Sequence, residues 1–194
     1  MMVPMTSHVA LLRAVNVGGG GKIAMAELRG VVASLGHTDV STYIQTGNVI
    51  FTPAGAATGH PPDAIAAGLR AAITARFGLD APVVVLSRDG LAAVVAENPY
   101  PAAEQPRYLH AVFLTADPDP QAAGQVQDAV AAAARAGSGD TATLLRRTLY
   151  LYTPGGFGTS LLARALLGRR SSPVADGTAR NWNTVTKLLA LCGS

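Results

Sequence analysis

The chain contains little cysteine, few aromatic residues and few charges, and each scarcity excludes a class of protein. Cys192 is the only cysteine, which excludes an internal disulfide and a cluster of thiolate metal ligands. Aromatic residues make up 5% and charged residues 14%, and no apolar run approaches the roughly 20 residues of a membrane span. Residues 1–7 lack the basic and apolar regions of a signal peptide. These absences predict a cytoplasmic protein with no membrane segment and no metal site.

The residues that are present provide enough apolar material for a packed core. A hydrophobic content of 49% over 194 residues suits one domain or two small ones. The net charge of +3 reflects a small excess of arginine, which permits an anionic partner without requiring one. The two lysines, Lys22 and Lys187, stand near scarce asparagines, the first beside a glycine run and the second beside Trp182. These two segments are therefore the first places to look for a site.

The glycine run is the most unusual local feature of the sequence. An apolar stretch, 8–17, leads into four consecutive glycines, 18–21, and then into Lys22. Glycines lose more backbone entropy on ordering than other residues, so this loop is either mobile or holds something close to its backbone. It is not a Walker phosphate loop, because Asn16 replaces the first glycine of that motif and Ile23 replaces its serine or threonine.

Hydrophobic periodicity and turn residues predict an α+β fold of two tandem ferredoxin-like halves. The first half is strand 8–17, helix 25–35, strands 40–45 and 48–52 with a tight turn at Thr46-Gly47, helix 62–77 and strand 83–86. The second half is strand 108–115, helix 121–135, strands 141–147 and 149–153, helix 159–167, and a C-terminal helix, 181–191, that replaces the last strand. The predicted domains are 1–88 and 107–194, and 89–106 joins them through a short helix capped by Asp89 and a proline-rich connection.

The topology predicts where a ligand would bind. In this order of elements the first and third strands are antiparallel neighbours, so Asn16 is expected close to Asn48 at one edge of the sheet. Arg13 lies in phase with apolar neighbours, so its guanidinium must be paired or reach that edge. A cluster of amides, backbone N–H groups and two cations is typical of an anion or polar-ligand cradle. The candidate ligand-binding residues are Arg13, Asn16, Gly18, Gly19, Lys22, Gln45 and Asn48.

The same residues allow a structural interpretation. In that alternative, Asn16 and Asn48 pair to satisfy turn backbone, Arg13 bridges to Glu27, and the glycines form a flexible crossover. A second glycine loop, 154–160, is interpreted as a tight turn with a threonine or serine helix cap rather than as an anion site.

The C-terminal segment and the histidines provide weaker signals. Secondary candidates near Trp182 are Arg180, Asn181, Asn183 and Lys187, with domain clamping the favoured role of Arg180. The histidines lie far apart in the sequence without metal-ligand spacing, so each is interpreted as a surface or strand-edge residue: His8, His37, His60 and His110. The sequence identifies no catalytic residue and no cofactor.

Several blocks resemble a bacterial family catalogued as a domain of unknown function. The blocks are LLRAVNVGG (11–19), KIAMAELR (22–29), TYIQTGNVIF (42–51), NPYP (98–101) and TARNWNTVTKL (178–188). The resemblance spans nearly the whole chain and implies a small cytosolic protein with two similar α+β halves and no established activity. The sequence departs from the family at Gly20-Gly21, where relatives carry bulkier polar residues, so the resemblance supports no ligand-reading role for the loop side chains.

Three functions of different classes are compatible with these observations. The favoured one is the binding of a small anionic or phosphorylated ligand at the glycine loop, with any reaction unknown. The second is a structural or interaction module that forms a homodimer through sheet edges. The third is weak nucleic-acid binding, which is disfavoured because aromatic residues are few and no aromatic ribonucleoprotein motif is present.

Overall fold

The computed structural model describes residues 7–17, 21–55, 60–100, 105–168 and 170–193. Within these ranges the chain has a mixed α/β fold with two four-stranded antiparallel sheets. The strands are β1 His8–Leu12, β2 Thr38–Tyr43, β3 Asn48–Thr52, β4 Val83–Ser87, β5 Leu109–Phe113, β6 Thr141–Leu145, β7 Thr148–Tyr152 and β8 Thr178–Asn181. The helices are α1 Met25–Ser34, α2 Pro62–Phe77, α3 Arg88–Ala96, α4 Ala122–Arg135, α5 Leu161–Leu167 and α6 Trp182–Leu191. None of the helices in the described ranges is long and apolar enough to cross a membrane.

The chain divides into two compact units, Met1–Ala93 with Lys187–Ser194 and Val94–Thr186. The sheet of the first unit has the strand order β2-β3-β1-β4. β1 lies between β3 and β4, and all five of its residues are buried, in keeping with a sequence that is apolar from Val9 to Leu12. α2 buries Ile65, Leu69 and Ile73 at four-residue spacing against this sheet. It ends at Phe77, and Gly78 caps it with a φ of 64°, the left-handed conformation that glycine adopts without a steric penalty.

The sheet of the second unit has the strand order β6-β7-β5-β8. Its central strands, β5 and β7, are antiparallel and buried, and α4 and α5 cover one face. Val126 of α4 and Leu162 of α5 pack in one core cluster with Val112, Leu149 and Leu151 of the sheet. Apolar residues at strand and helix spacing therefore place the core of this unit between the sheet and the two helices.

Two predicted elements near the glycine run are corrected by the structure. β1 ends at Leu12 rather than at residue 17, because Ala14 and Asn16 adopt φ angles of 56° and 57°, which no strand accommodates. The turn between β2 and β3 is longer than the predicted Thr46-Gly47 pair and comprises residues 44–47. Ile44 and Gly47 both have positive φ angles there, 51° and 76°.

The prediction that a helix replaces the last strand of the second half is wrong. Residues Thr178–Asn181 form β8, which pairs with β5 in antiparallel register, and α6 follows directly. The segment is short and polar, so it carries no hydrophobic strand signal, and the free edge of β5 decides its conformation. The predicted cap of α3 is also wrong. The Ser87 hydroxyl, rather than Asp89, accepts the Gly90 N–H at 3.1 Å.

Gly47 is the position in the β2–β3 turn where a side chain should be least tolerated. A Cβ added there would lie 2.8 Å from the Leu12 Cβ, and its φ of 76° disfavours any other L-residue. We expect Gly47→Ala to lower the free energy of unfolding by about 2 kcal/mol, measured by urea denaturation. The matched control is Gly30→Ala in α1, where a Cβ meets nothing within 4 Å and helix propensity should rise. Equal effects of the two substitutions would contradict the prediction.

Candidate functional site

Asn16 holds together the two ends of the loop between β1 and α1. Its Nδ2 donates to the carbonyl oxygens of Ile23 and Gln45, both at 2.9 Å, and its Oδ1 accepts the Ile23 N–H at 2.9 Å. Its backbone N–H donates to the Gly21 carbonyl at 3.1 Å. Both amide hydrogens and the amide oxygen of the side chain are thus engaged by backbone. Asn16 therefore joins the loop to the β2–β3 turn as an internal clamp.

Asn48 stabilises the same turn from the other side. It is fully buried, and its Nδ2 donates at 3.1 Å to the Tyr43 carbonyl and at 3.1 Å to the Thr46 hydroxyl. In the sheet it stands opposite Leu11 of β1 and Tyr43 of β2. The two asparagines thus bind different groups of one hairpin. Apart from the Thr46 hydroxyl, the groups that their amides bind here are backbone polar groups.

Arg13 and Lys22 are in a different situation. The Arg13 side chain is half-buried, and among the described residues it has no hydrogen-bond or ion-pair partner. The predicted bridge to Glu27 does not form, because the Glu27 carboxylate instead accepts a hydrogen bond from Arg76 at 2.8 Å. Lys22 is exposed at the end of the same loop.

The remaining primary candidates contribute little to this geometry. Gln45 is exposed, and its backbone carbonyl oxygen accepts the hydrogen bond from Asn16. Gly18 and Gly19 lie outside the described residues. The structure thus brings the amides of Asn16 and Asn48 to the β2–β3 turn as a scaffold, and Arg13 and Lys22 lie on the loop between β1 and α1.

The secondary candidates organise the junction of β8 and α6. Asn181 donates through Nδ2 to the Arg107 carbonyl at 2.9 Å and accepts the Asn183 N–H at 3.1 Å, so it fixes the first turn of the helix. The Arg180 guanidinium is buried and donates to the Ala179 carbonyl at 2.9 Å, and its burial lowers its pKa to about 10. Asn183 and Lys187 are exposed.

Partial burial of His110 is a feature that sequence reasoning missed. Its ring stacks on Phe157 with 4.1 Å between centroids, and Nε2 lies 3.5 Å from the Asn181 Nδ2. The Nδ1 atom is buried and has no hydrogen-bond partner among the described residues. Burial lowers the pKa of His110 to about 4, so the imidazole is neutral near pH 7. The available sequence signal was the two-residue spacing of His110, Val112 and Leu114, which places His110 on the same strand face as two core residues.

The second glycine loop ends in a serine cap, as the sequence predicts. Ser160 accepts the Ala163 N–H at 2.9 Å and donates to the Asp140 carboxylate at 2.7 Å, and both side chains are buried. Sequence reasoning did not include Asp140, whose partner is 20 residues away. No group of three metal-ligating side chains occurs in the part of the chain that the structure describes.

The described residues define a class of protein: a mixed α/β chain of two units, each with a four-stranded antiparallel sheet, and a polar loop clamped to a hairpin in the first. The chain belongs to the family described as protein of unknown function (DUF1697), whose sequence pattern matches residues 5–143. Its structure is similar to that of the conserved bacterial protein SP0830 from Streptococcus pneumoniae, with 21% identity and a TM-score of 0.69. The similarity covers 96% of this chain and 98% of that chain. The comparison with curated proteins gives no match.

Proposed function

We propose that the loop between β1 and α1 binds a small anionic or phosphorylated ligand through Arg13 and Lys22. The observation that carries the proposal is the half-buried Arg13 guanidinium, which has no partner among the described residues. A charge that is partly removed from water is unfavourable unless an opposite charge compensates it. An anion from solution would provide this compensation.

Other arginines of the first unit have partners within the chain, and this contrast supports Arg13 as a ligand-binding residue. Arg70 forms a two-bond ion pair with Asp80, at 2.6 and 2.7 Å, although both side chains are largely exposed. Arg76 pairs with Glu27, and Arg29 donates to the Thr42 hydroxyl at 2.9 Å. Partners within the chain are thus available to these three guanidinium groups, whereas Arg13 has none among the described residues.

The clamp formed by Asn16 gives this site a fixed frame. Because its amide binds Ile23 and Gln45 at 2.9 Å, the residues that precede and follow the glycines are held at the end of the sheet. Arg13 and Lys22 flank that clamp in sequence. Binding an anion would therefore require little further ordering of the backbone at these two residues. The asparagines support the site, and the two cations would contact the ligand.

We expect inorganic pyrophosphate to raise the melting temperature of the protein in a saturable way. Arg13→Gln and Lys22→Gln should each weaken this stabilisation, since each removes one cation at the loop. Arg135→Gln, a matched loss of charge at the end of α4 in the other unit, should leave it unchanged. Thermal shift at several pyrophosphate concentrations measures the effect. An equal response of all three variants would show that the binding is nonspecific and would overturn the proposal.

An interaction module is the second candidate, because two large apolar side chains are exposed at this end of the first unit. Val17 is 53% exposed and follows Asn16 in the sequence, and Ile44 is 48% exposed and precedes Gln45. The hydrogen bond from Asn16 to Gln45 joins these two positions. Exposed apolar side chains that lie close together are typical of protein interfaces. No thermal response to anions, together with sedimentation that depends on protein concentration, would favour this module over the ligand site.

We also propose that residues 1–88 and 107–194 are two tandem ferredoxin-like halves joined by 89–106. The two strand orders, β2-β3-β1-β4 and β6-β7-β5-β8, support this interpretation, since corresponding strands occupy corresponding places. The helices that follow the first strand and the hairpin in each half support it as well.

A further inference from the structure

A groove of about 570 Å³ lies between α4 and α5 in the second unit. One face of α4 lines it with alanines, and the beginning of α5 lines it with Leu161 and Arg164. The alanines recur at spacings of three and four residues and therefore share one side of the helix: Ala129, Ala132, Ala133 and Ala136. Methyl groups fill little space, so the two helices leave an open channel. Its volume lies within the roughly 300–1,000 Å³ of small-molecule sites.

The groove exposes apolar surface to solvent. Leu161 is 56% exposed, and it is the most exposed of the large hydrophobic residues in the described ranges. Ala132 and Ala136 are exposed on the facing helix. Removing such surface from water is favourable by about 25 cal/mol per Å², which would drive an apolar group into the channel.

The charge that lines the groove is positive. Arg164 is exposed, and its guanidinium makes no hydrogen bond or ion pair with any described residue. The nearby Asp140 carboxylate is buried and accepts the hydrogen bond of Ser160, so it does not neutralise Arg164. Among the described lining residues, the one charged side chain is therefore a cation.

We propose that the groove between α4 and α5 binds a small amphiphile with an apolar chain and a carboxylate. The chain lies along the alanines of α4 and against Leu161, and the carboxylate pairs with Arg164. The volume limits the ligand to a small molecule, and the lone cation at the groove complements a single negative head group. This site is separate from the loop of Arg13 and does not depend on the function proposed for it.

The test is the binding of dodecanoate to the full-length protein, measured by titration calorimetry. The wild type should bind one molecule saturably. Ala132→Trp should abolish binding, because the indole obstructs the middle of the channel, and Arg164→Gln should raise the Kd about fivefold. Ala131→Leu is the matched control, since it adds bulk to an exposed position on the opposite side of α4. The neutral 1-decanol should bind the wild type and Arg164→Gln equally well.

Melting curves separate loss of binding from loss of folding. Ala132 is exposed, so its tryptophan variant should keep a cooperative melt, and Ala136→Leu provides a second obstruction at the end of α4. Absence of saturable dodecanoate binding by the wild type would overturn the proposal. An equal loss of binding in Ala131→Leu would overturn it too. So would a wild-type dimer that Ala132→Trp dissociates, because the groove would then hold a second copy of the chain.

Discussion

Replacement of Asn16 by alanine is expected to lower the free energy of unfolding by about 3–4 kcal/mol. The substitution removes three side-chain hydrogen bonds, to the N–H and carbonyl of Ile23 and to the carbonyl of Gln45. The net contribution of each hydrogen bond to stability is roughly 0.5–1.5 kcal/mol, and the exposed bond to the Gln45 carbonyl contributes least. The φ of 57° at this position costs alanine about 1 kcal/mol more than it costs asparagine.

Urea denaturation of wild type, Asn16→Ala and Asn16→Gly measures the effect and divides it. Glycine loses the same hydrogen bonds but adopts a positive φ freely, so we expect it to be about 1 kcal/mol more stable than alanine here. If Asn16→Ala unfolded as the wild type does and lost only its response to pyrophosphate, Asn16 would be a ligand-binding residue and not a clamp.

The stability of the protein is expected to fall as the pH drops from 6.5 toward 4 because of His110. Burial lowers the pKa of His110 from 6.5 to about 4 in the folded protein. Below pH 6.5 the unfolded chain therefore binds a proton that the folded protein excludes, and protonation favours unfolding. The stabilisation is fully present above pH 6.5 and is lost as the pH falls through this window. Its size is about 2–3 kcal/mol, since one pKa unit corresponds to about 1.4 kcal/mol and the ring is partly solvated.

Comparison with His110→Gln isolates this contribution from the other titrating groups. The pKa of His37 is also lowered, by burial and by the nearby His8, and both proteins retain that effect. The difference in unfolding free energy between wild type and His110→Gln should shift by about 2–3 kcal/mol in favour of the variant between pH 7 and pH 4. Parallel pH profiles would show that the ring is solvated in the folded protein and would contradict the prediction.

The candidate site shows how far sequence reasoning extends from strand order to chemistry. Antiparallel pairing of the first and third strands predicts that Asn16 and Asn48 lie at one end of the sheet, and both amides bind the hairpin there. Their hydrogen-bond partners could not be predicted, because they depend on the positive φ angles at Ala14 and Asn16. A sequence pattern does not specify left-handed backbone at residues other than glycine.

The partner of Arg13 shows the same limit in electrostatics. The sequence offers Glu27 as the neighbouring acid, but this carboxylate is taken by Arg76, which is 49 residues away along the chain. The packing of α2 beside α1 decides between these two arginines. A long-range ion pair of this kind leaves no periodic signal in either segment.

The sequence by itself determined the elements whose signals are local. α2 begins at Pro62 and ends at Phe77 before Gly78 because helical spacing, a proline start and a left-handed glycine stop all act within a few residues. Only the tertiary structure decided that Thr178–Asn181 is a strand, since its backbone groups pair with β5. It also decided that His110 stacks on Phe157 and is half-buried there, because the two lie on separate elements that only the folded chain brings together. Hydrogen-bond pairing and burial depend on neighbours distant in sequence, and these contacts form only when the sheets and helices pack.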